Sequence, residues 1–455
     1  MPGTGDGVRD SCTNTWGTIV LGAGTSGLTA GSILTARGRA AGPVLLLDEY
    51  PEIGGNHTSV AINGYSFDIG SFFFSENSPF LAHFPDLLPR YENQDHGTYS
   101  VARITPKIKL AAYPADFKND VFGQGITMPL RYLGSALYGR IFLDENRSAE
   151  DFACYWIGER FFRDSGLRFY MERLFGENPA GIESCFAHKR MRWVKRNAQI
   201  GGLLKTLARH AVQHSPKPRS RQLVRPRAGF PSLYNVAADR LKAQGTEIRL
   251  GAKLTRISGC AGSGFQIELE DGTGLACRQI VSTIPLSRTL PLCGLPTPDQ
   301  LRAASLLTLF ISTSGDRGFA ANVLFNFSEE GQWKRLTMHS DFYGKVHGRE
   351  YFSVECIMNG TGDAPAARFG EFKMLVRKAG LFPGDLRLEG HRITDNAYPV
   401  YRQGATAAAE AAIAQLRRIG ILSFGRQGGF DYQPTSVIST IEAKRQLNAR
   451  PAGPP

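Results

Sequence analysis

The pattern of apolar and polar positions is most regular near the start of the chain. TIVLG (18–22) is a short unbroken apolar run, AGTSG (23–27) is a turn, and LTAGSILTARG (28–38) has apolar residues at helical spacing. PVLLLD (43–48) is a second apolar run, so the unit predicts strand, helix, strand, with both strands buried. From 64 to 76 the alternation is weak and predicts a short strand and a loop. Residues 145–215 mix three- and four-residue apolar spacings and predict a mostly helical region. FPSLYNVAADRLKAQG (230–245) predicts an amphipathic helix with Leu233, Val236, Ala237 and Leu241 on one face and Gly245 at its end. TEIRL, GAKLTRIS, FQIELEDG and GLACRQIVSTI then read as successive strands, with Asp271-Gly272 as a turn. Further strand-like runs (LTLFIST, NVLFNF, EYFSVECIM) fall between 305 and 358. A helix over 405–420, a strand ILSFG and a last helix from Ser436 to Gln446 close the chain, and no internal repeat is visible.

Composition changes this picture little. At 455 residues the chain has room for two or three domains, and 42% apolar with 21% charged residues is ordinary for a globular protein. No apolar stretch is long enough to span a membrane. The N-terminal MPGTGDGVRDSCTNTWG lacks the pattern of a secretion signal and reads as a polar tail. Seven scattered cysteines without a Cys-x-x-Cys pair argue against a disulfide framework or zinc site and fit a reducing cytoplasm. The net charge of +12 is concentrated in HKRMRWVKR (188–196) and KPRSRQLVRPR (217–227). It reads either as a solvated basic face or as a field attracting an anionic small molecule. No nucleic-acid module is present to make nucleic acid the partner.

The candidate chemistry lies in the first turn. Gly22, Gly24 and Gly27 have the G-x-G-x-x-G spacing between a strand and a helix. The first glycine permits a tight turn, the second lets a pyrophosphate approach the backbone, and the third lets helix and strand pack closely. The helix start, with Ser26 in its first turn, offers free N–H groups to the phosphates. Asp48 stands 21 residues after Gly27, where a carboxylate would accept from ribose hydroxyls. Glu49 is its neighbour if the register differs by one. Gly54, Gly55 and Asn56 follow, suggesting a second close approach of backbone to the same dinucleotide.

VLGAGTSGLTAG with VLLLDEYPEIGGN resembles the N-terminal FAD fingerprint of the protoporphyrinogen oxidase, amine oxidase and phytoene desaturase superfamily, and PEIGGN is most similar to its UDP-galactopyranose mutase branch. GYSFDIGS resembles the strand beside the flavin, which would bring Gly70 and Ser71 to the cofactor. FYMERLFGENPAGI resembles a helical segment of the mutases. RPRAGFPSLYNVAADRL with EIRLGAKLTRIS resembles the segment returning to the FAD domain, with the backbone of Leu254 at the adenine. WKRLTMHSDF, AYPVY and FGRQGGFDY resemble three further mutase segments. By that resemblance Arg335 and Arg426 are active-site cations, Tyr398 and Tyr432 contact substrate, and Gly425 and Arg426 also touch the cofactor. The last helix would point its N-terminus, at Ser436 and Val437 after Thr435, toward the flavin.

The resemblance also departs from the mutases. Phe72 stands where they carry a flavin-side His, Phe175 where they use a Trp, and Gln433-Pro434 where they have an acid. His57 and His339, nearest to the matched motifs, read as hydrogen-bonded structural residues or proton carriers. The expectation is an α/β fold. A two-dinucleotide-binding FAD domain (16–110, 221–288, 396–449) would carry a substrate domain made of a helical insertion (111–220) and a β-rich part (289–395). The implied function is an FAD-dependent oxidoreductase taking a hydride from a C–H next to N or O of a small anionic or sugar-derived metabolite. The alternatives are a non-redox isomerase of a nucleotide sugar and a non-catalytic FAD-binding partner protein.

Overall fold

The computed structural model describes residues 15–38, 42–70, 73–94, 100–113, 127–191, 195, 222–358 and 364–449. Ser71 and Phe72, and residues 192–194, 196 and 217–221 of the two basic stretches, lie outside the described residues.

The first layer is a sheet built from three separate pieces of chain. Strand β1 (Thr15–Leu21) pairs in parallel with β2 (Val44–Leu47), which pairs in parallel with Thr246–Arg249. On its other side β1 runs parallel to Gly274–Ser282, whose end pairs in parallel with Ile421–Ser423 and whose start joins the antiparallel meander Leu254–Cys260 and Gly264–Leu269. The unbroken apolar runs follow from burial on both faces. Val20, Val44, Leu46 and Val281 pack under helix α1 (Thr25–Ala36), the helix Phe230–Ala243 and the last helix, Ser436–Asn448. Ile19, Leu21, Leu45, Leu47 and Ile280 face the opposite way, onto the meander and the helices Leu286–Leu292 and Ala405–Arg418.

The second layer is a seven-stranded mixed sheet in the order 386–399, 303–313, 350–358, 333–338, 323–326, 101–104, 110–112. Leu307, Leu309, Ile311, Leu336, Met338, Val354 and Cys356 bury one face against the helix Pro365–Lys378. The other face meets the described helices of the insertion (Thr127–Phe142, Ala149–Asp164, Leu167–Phe175 and Ser184–Arg190) and the hairpin Ser59–Ile62/Tyr65–Asp68. Val101–Ile104 falls in the segment expected with the first domain and Leu110–Ala112 at its boundary with the helical insertion, and both extend this second sheet. Their alternation is weak, and the long-range register with Val323–Asn326 decides their place. No helix among the described residues is long and apolar enough to cross a membrane.

Candidate functional site

The turn after β1 is shaped by what a side chain would strike. Gly22 has φ +100°, and a Cβ there would lie 2.5 Å from Thr283 Oγ1. A Cβ on Gly27 would lie 1.8 Å from the Gly22 carbonyl oxygen, so the first turn of α1 rests directly on the strand end. Gly24 is the extended N-cap residue of α1, and no side chain caps that helix end. Gly54 and Gly55, at φ +120° and +62°, fold back over it: the Gly54 N–H donates to Ala23 O, and a Cβ on Gly55 would lie 3.0 Å from Gly24 Cα. Asn56 follows, partly buried.

Asp48 ends β2 and is buried. Its Oδ2 accepts from the Ala23 N–H at 2.6 Å and its Oδ1 from the Tyr50 N–H at 2.9 Å. Burial pushes its carboxyl up, against the pull of those N–H donors. Glu49 turns to the surface, 3.8 Å from Arg288. The turn before Leu254 sits on this corner, since the N–H groups of Gly251 and Ala252 donate to Tyr50 O and Asp48 O. From the far end of the chain, Gly425 (φ +90°) approaches Ser26 so closely that a Cβ would lie 2.7 Å from its Oγ. Thr435 caps the last helix by accepting from the Ile438 N–H at 3.4 Å, with Ser436 and Val437 in the first turn. Gly70 is buried after the hairpin strand.

A buried charge cluster lies on the helix-facing side of the second sheet. Arg335 is the direct cross-strand partner of Glu355. Its Nε donates to Glu355 Oε1 at 2.6 Å, while Lys334 Nζ reaches Glu355 Oε2 at 3.0 Å. Two adjacent strand residues share one carboxylate because the register shifts between Trp333 and Arg335, a bulge that brings Lys334 to the same side. Tyr398 Oη donates to Glu355 Oε2 at 3.5 Å. Its ring lies between Lys334 Nζ (3.9 Å) and Arg426 Cζ (4.8 Å). Arg426 also donates to Ala397 O at 2.7 Å, and its buried Nε has no partner in the described residues. Two cations thus share one carboxylate, and a third, Arg426, lies against the tyrosine beside it. Burial raises Glu355, but Arg335 and Lys334 outweigh it and its carboxyl stays below the usual range. Burial likewise raises Tyr398, yet Lys334 beside it leaves the phenol more acidic than usual.

Arg426 also reaches electrostatically to His57, joining the two halves of the site. His57 Nδ1 shares a short hydrogen bond with Tyr234 Oη, and its ring stacks on Phe230. Tyr432 stands on the other flank, 5.9 Å from the Arg190 guanidinium, and Arg190 donates to Tyr170 Oη at 3.3 Å. An apolar crevice lined by Leu167, Tyr170, Met171, Phe186, Arg190 and Phe327 continues from there.

The profile of the family described as flavin containing amine oxidoreductase matches residues 25–359. The chain belongs to that family. No curated protein sequence matches it significantly. Among solved structures, a reduced UDP-galactopyranose mutase superposes at TM-score 0.74 with 16% identity over 94% of this chain and 92% of that one. A putative protoporphyrinogen oxidase from Exiguobacterium sp. 255-15 gives 0.69 and 14% over 94% and 97%. A putrescine oxidase variant gives 0.58 and 12% over 95% and 97%. At such identities these likenesses establish the fold.

Within this flavin family fold, the residues singled out from the sequence form two groups. Gly22, Gly24, Ser26, Gly27, Asp48, Gly54, Gly55 and Gly425 meet at the crossover of the first sheet, and Leu254 begins the strand beside it. Arg335, Tyr398 and Arg426 share the charge cluster, while Tyr432 stands beside Arg190. Glu49 is apart from both. Lys334 and Glu355 were not foreseen because only the bulge and the sheet register bring them in, and Arg190 and Tyr170 because only the packing of two helices does. Phe175 packs edge-to-face on Phe186 at 4.4 Å in the core, and Gln433 is buried, accepting from Ser439 Oγ at 2.7 Å.

Proposed function

We propose that the chain is an FAD-dependent oxidoreductase that removes a hydride from a C–H next to nitrogen or oxygen in a small anionic metabolite. The observation carrying this reading is the excess of cations, with buried Lys334 and partly buried Arg335 on Glu355 and partly buried Arg426 against Tyr398, in a fold of the flavin family. Buried charge without a counter-charge is costly, so such an excess is stabilised by an anionic ligand.

The crossover fits a dinucleotide. The uncapped start of α1 and the glycines around it leave backbone N–H groups for a pyrophosphate, and Asp48 and the backbone near Leu254 would hold ribose and adenine. The start of the last helix, at Ser436 and Val437, would meet the isoalloxazine, with Gly70 beside it. Bound FAD would supply the hydride acceptor. Arg335, Lys334 and Arg426 would bind the substrate's anionic group, and Tyr432 would contact its remainder. Tyr398 Oη, held acidic by Lys334, would take up or return a proton at the substrate heteroatom.

The test is an anaerobic titration of FAD-loaded protein with amino acids, 2-hydroxy acids and nucleotide sugars. Bleaching of the flavin by an anionic class is expected. Arg335→Ala should raise the concentration needed by roughly 10- to 100-fold, the loss of about one charge-assisted hydrogen-bonded contact. A flavin that no substrate bleaches, with nucleotide-sugar turnover only after chemical reduction, would establish the second reading, a non-redox isomerase. The grouping of Arg335, Tyr398 and Arg426 favours that alternative. Phe175 in the core and the buried Gln433 count against it.

A further inference from the structure

The helix Thr127–Phe142 carries a face that stays exposed among the described residues. Leu130, Leu133, Leu137, Tyr138, Ile141 and Phe142 are 54–71% exposed. Their three- and four-residue spacings place them on one side of the helix. Solvent-facing surfaces normally scatter such residues singly, and six on one stripe mark a contact surface.

The orientation of this helix is held by its opposite side. A Cβ on Gly139 would lie 2.3 Å from Cys154 O, and one on Gly158 (φ +77°) would lie 2.6 Å from Ala136 N. The helix therefore packs backbone to backbone on Ala149–Asp164. Tyr132 is buried on that side, donating from Oη to Asp164 Oδ2 at 3.2 Å. The helix cannot roll to bury its leucines without opening this glycine contact, so the apolar stripe faces outward by construction.

What borders the stripe identifies its partner. At ~100° per residue, Arg140 falls at one margin beside Leu133, and Arg131 falls near the other, between Tyr138 and Phe142. Both are exposed, and the helix contains no Asp or Glu. Arg140 is steadied there by stacking on Trp156 at 4.0 Å. A second copy of the same face would add two more arginines and no carboxylate from this helix. An anionic lipid surface instead offers headgroup charge to these arginines and acyl chains to Leu133, Leu137 and Ile141. The chain's net charge of +12 adds a long-range pull in the same direction. We propose that this helix docks the protein peripherally on an anionic bilayer surface, lying in the interface with Leu133, Leu137 and Ile141 immersed.

Flotation of the full-length protein with vesicles tests this, using phosphatidylcholine alone and phosphatidylcholine containing about one third phosphatidylglycerol. Binding to the anionic vesicles is expected, weakened by high salt and at least ~10-fold weaker on neutral ones. The double variant Leu137→Glu/Ile141→Glu should lose at least ~10-fold in binding, with circular dichroism and Tm unchanged. If that variant fails to fold, Leu133→Ser/Leu137→Ser should show the loss without added charge. Absence of flotation, or flotation that neither variant weakens, overturns the proposal. So does a dimer that the variants dissociate in a protein that ignores vesicles, which would assign the stripe to a second copy.

Discussion

At the scale of single residues, the glycines of the first turn are the least replaceable positions. A methyl on Gly27 would sit 1.8 Å from the Gly22 oxygen, and backbone cannot step aside as a flexible side chain can. Gly27→Ala is therefore expected to displace the start of α1 and abolish flavin retention, read as the flavin-to-protein ratio after gel filtration; an unchanged ratio would contradict the assigned turn. Buried His339 and partly buried His57 make a separate prediction about pH. Burial, aided by Arg426 for His57 and Arg225 for His339, lowers both to about 3. The unfolded chain titrates these groups near 6.5, so between about 6.5 and 3 it binds more protons than the folded one. Their contribution to stability is present above about pH 6.5 and is lost as pH falls, by up to ~1.4 kcal/mol per pH unit for each histidine. Urea unfolding from about pH 7 to about pH 5 measures it, and His339→Gln should flatten the slope.

At the scale of elements, legibility followed the range of the interactions involved. The strand, turn and helix at 18–48 could be read because burial on both sheet faces produces an unbroken apolar run, and because glycine spacing is itself a local constraint. Arg335 was reached only through family resemblance, and Lys334 escaped altogether. Strand alternation would send Lys334 to the opposite face from Arg335, and a bulge is decided by register with a distant strand. The outward stripe of Thr127–Phe142 was equally invisible, since periodicity reveals that a helix has an apolar face and not what covers it. The bulge makes Glu355 the counter-charge of two neighbours at once. Glu355→Gln leaves buried Lys334 and partly buried Arg335 without it and is expected to cost about 3–5 kcal/mol. Adding an anionic substrate should recover part of that loss in Tm, whereas a purely structural carboxylate would leave the variant equally unstable with or without ligand.

At the scale of the whole molecule, the first sheet is assembled from pieces at residues 15–47, 246–282 and 421–423, so that Gly425 meets Ser26 and the last helix packs beside α1. A ligand that touches all three pieces would tie the ends of the chain together, and its effect on stability should depend on how many it reaches. In the placement proposed above, FAD would offer a flavin end to the last helix and an adenosine end to Asp48 and Leu254, whereas FMN carries only the flavin end. At ~100 times its Kd a ligand that binds only the folded state adds about 2.7 kcal/mol, which in a chain of this size shifts Tm by a few degrees. FAD is expected to give such a shift and FMN at the same concentration less than about a third of it. Asp48→Ala should reduce the FAD shift toward that of FMN while leaving the FMN value unchanged, because the substitution removes a carboxylate that only the adenosine half would reach. Equal shifts from the two flavins would contradict the placement of the dinucleotide across the crossover.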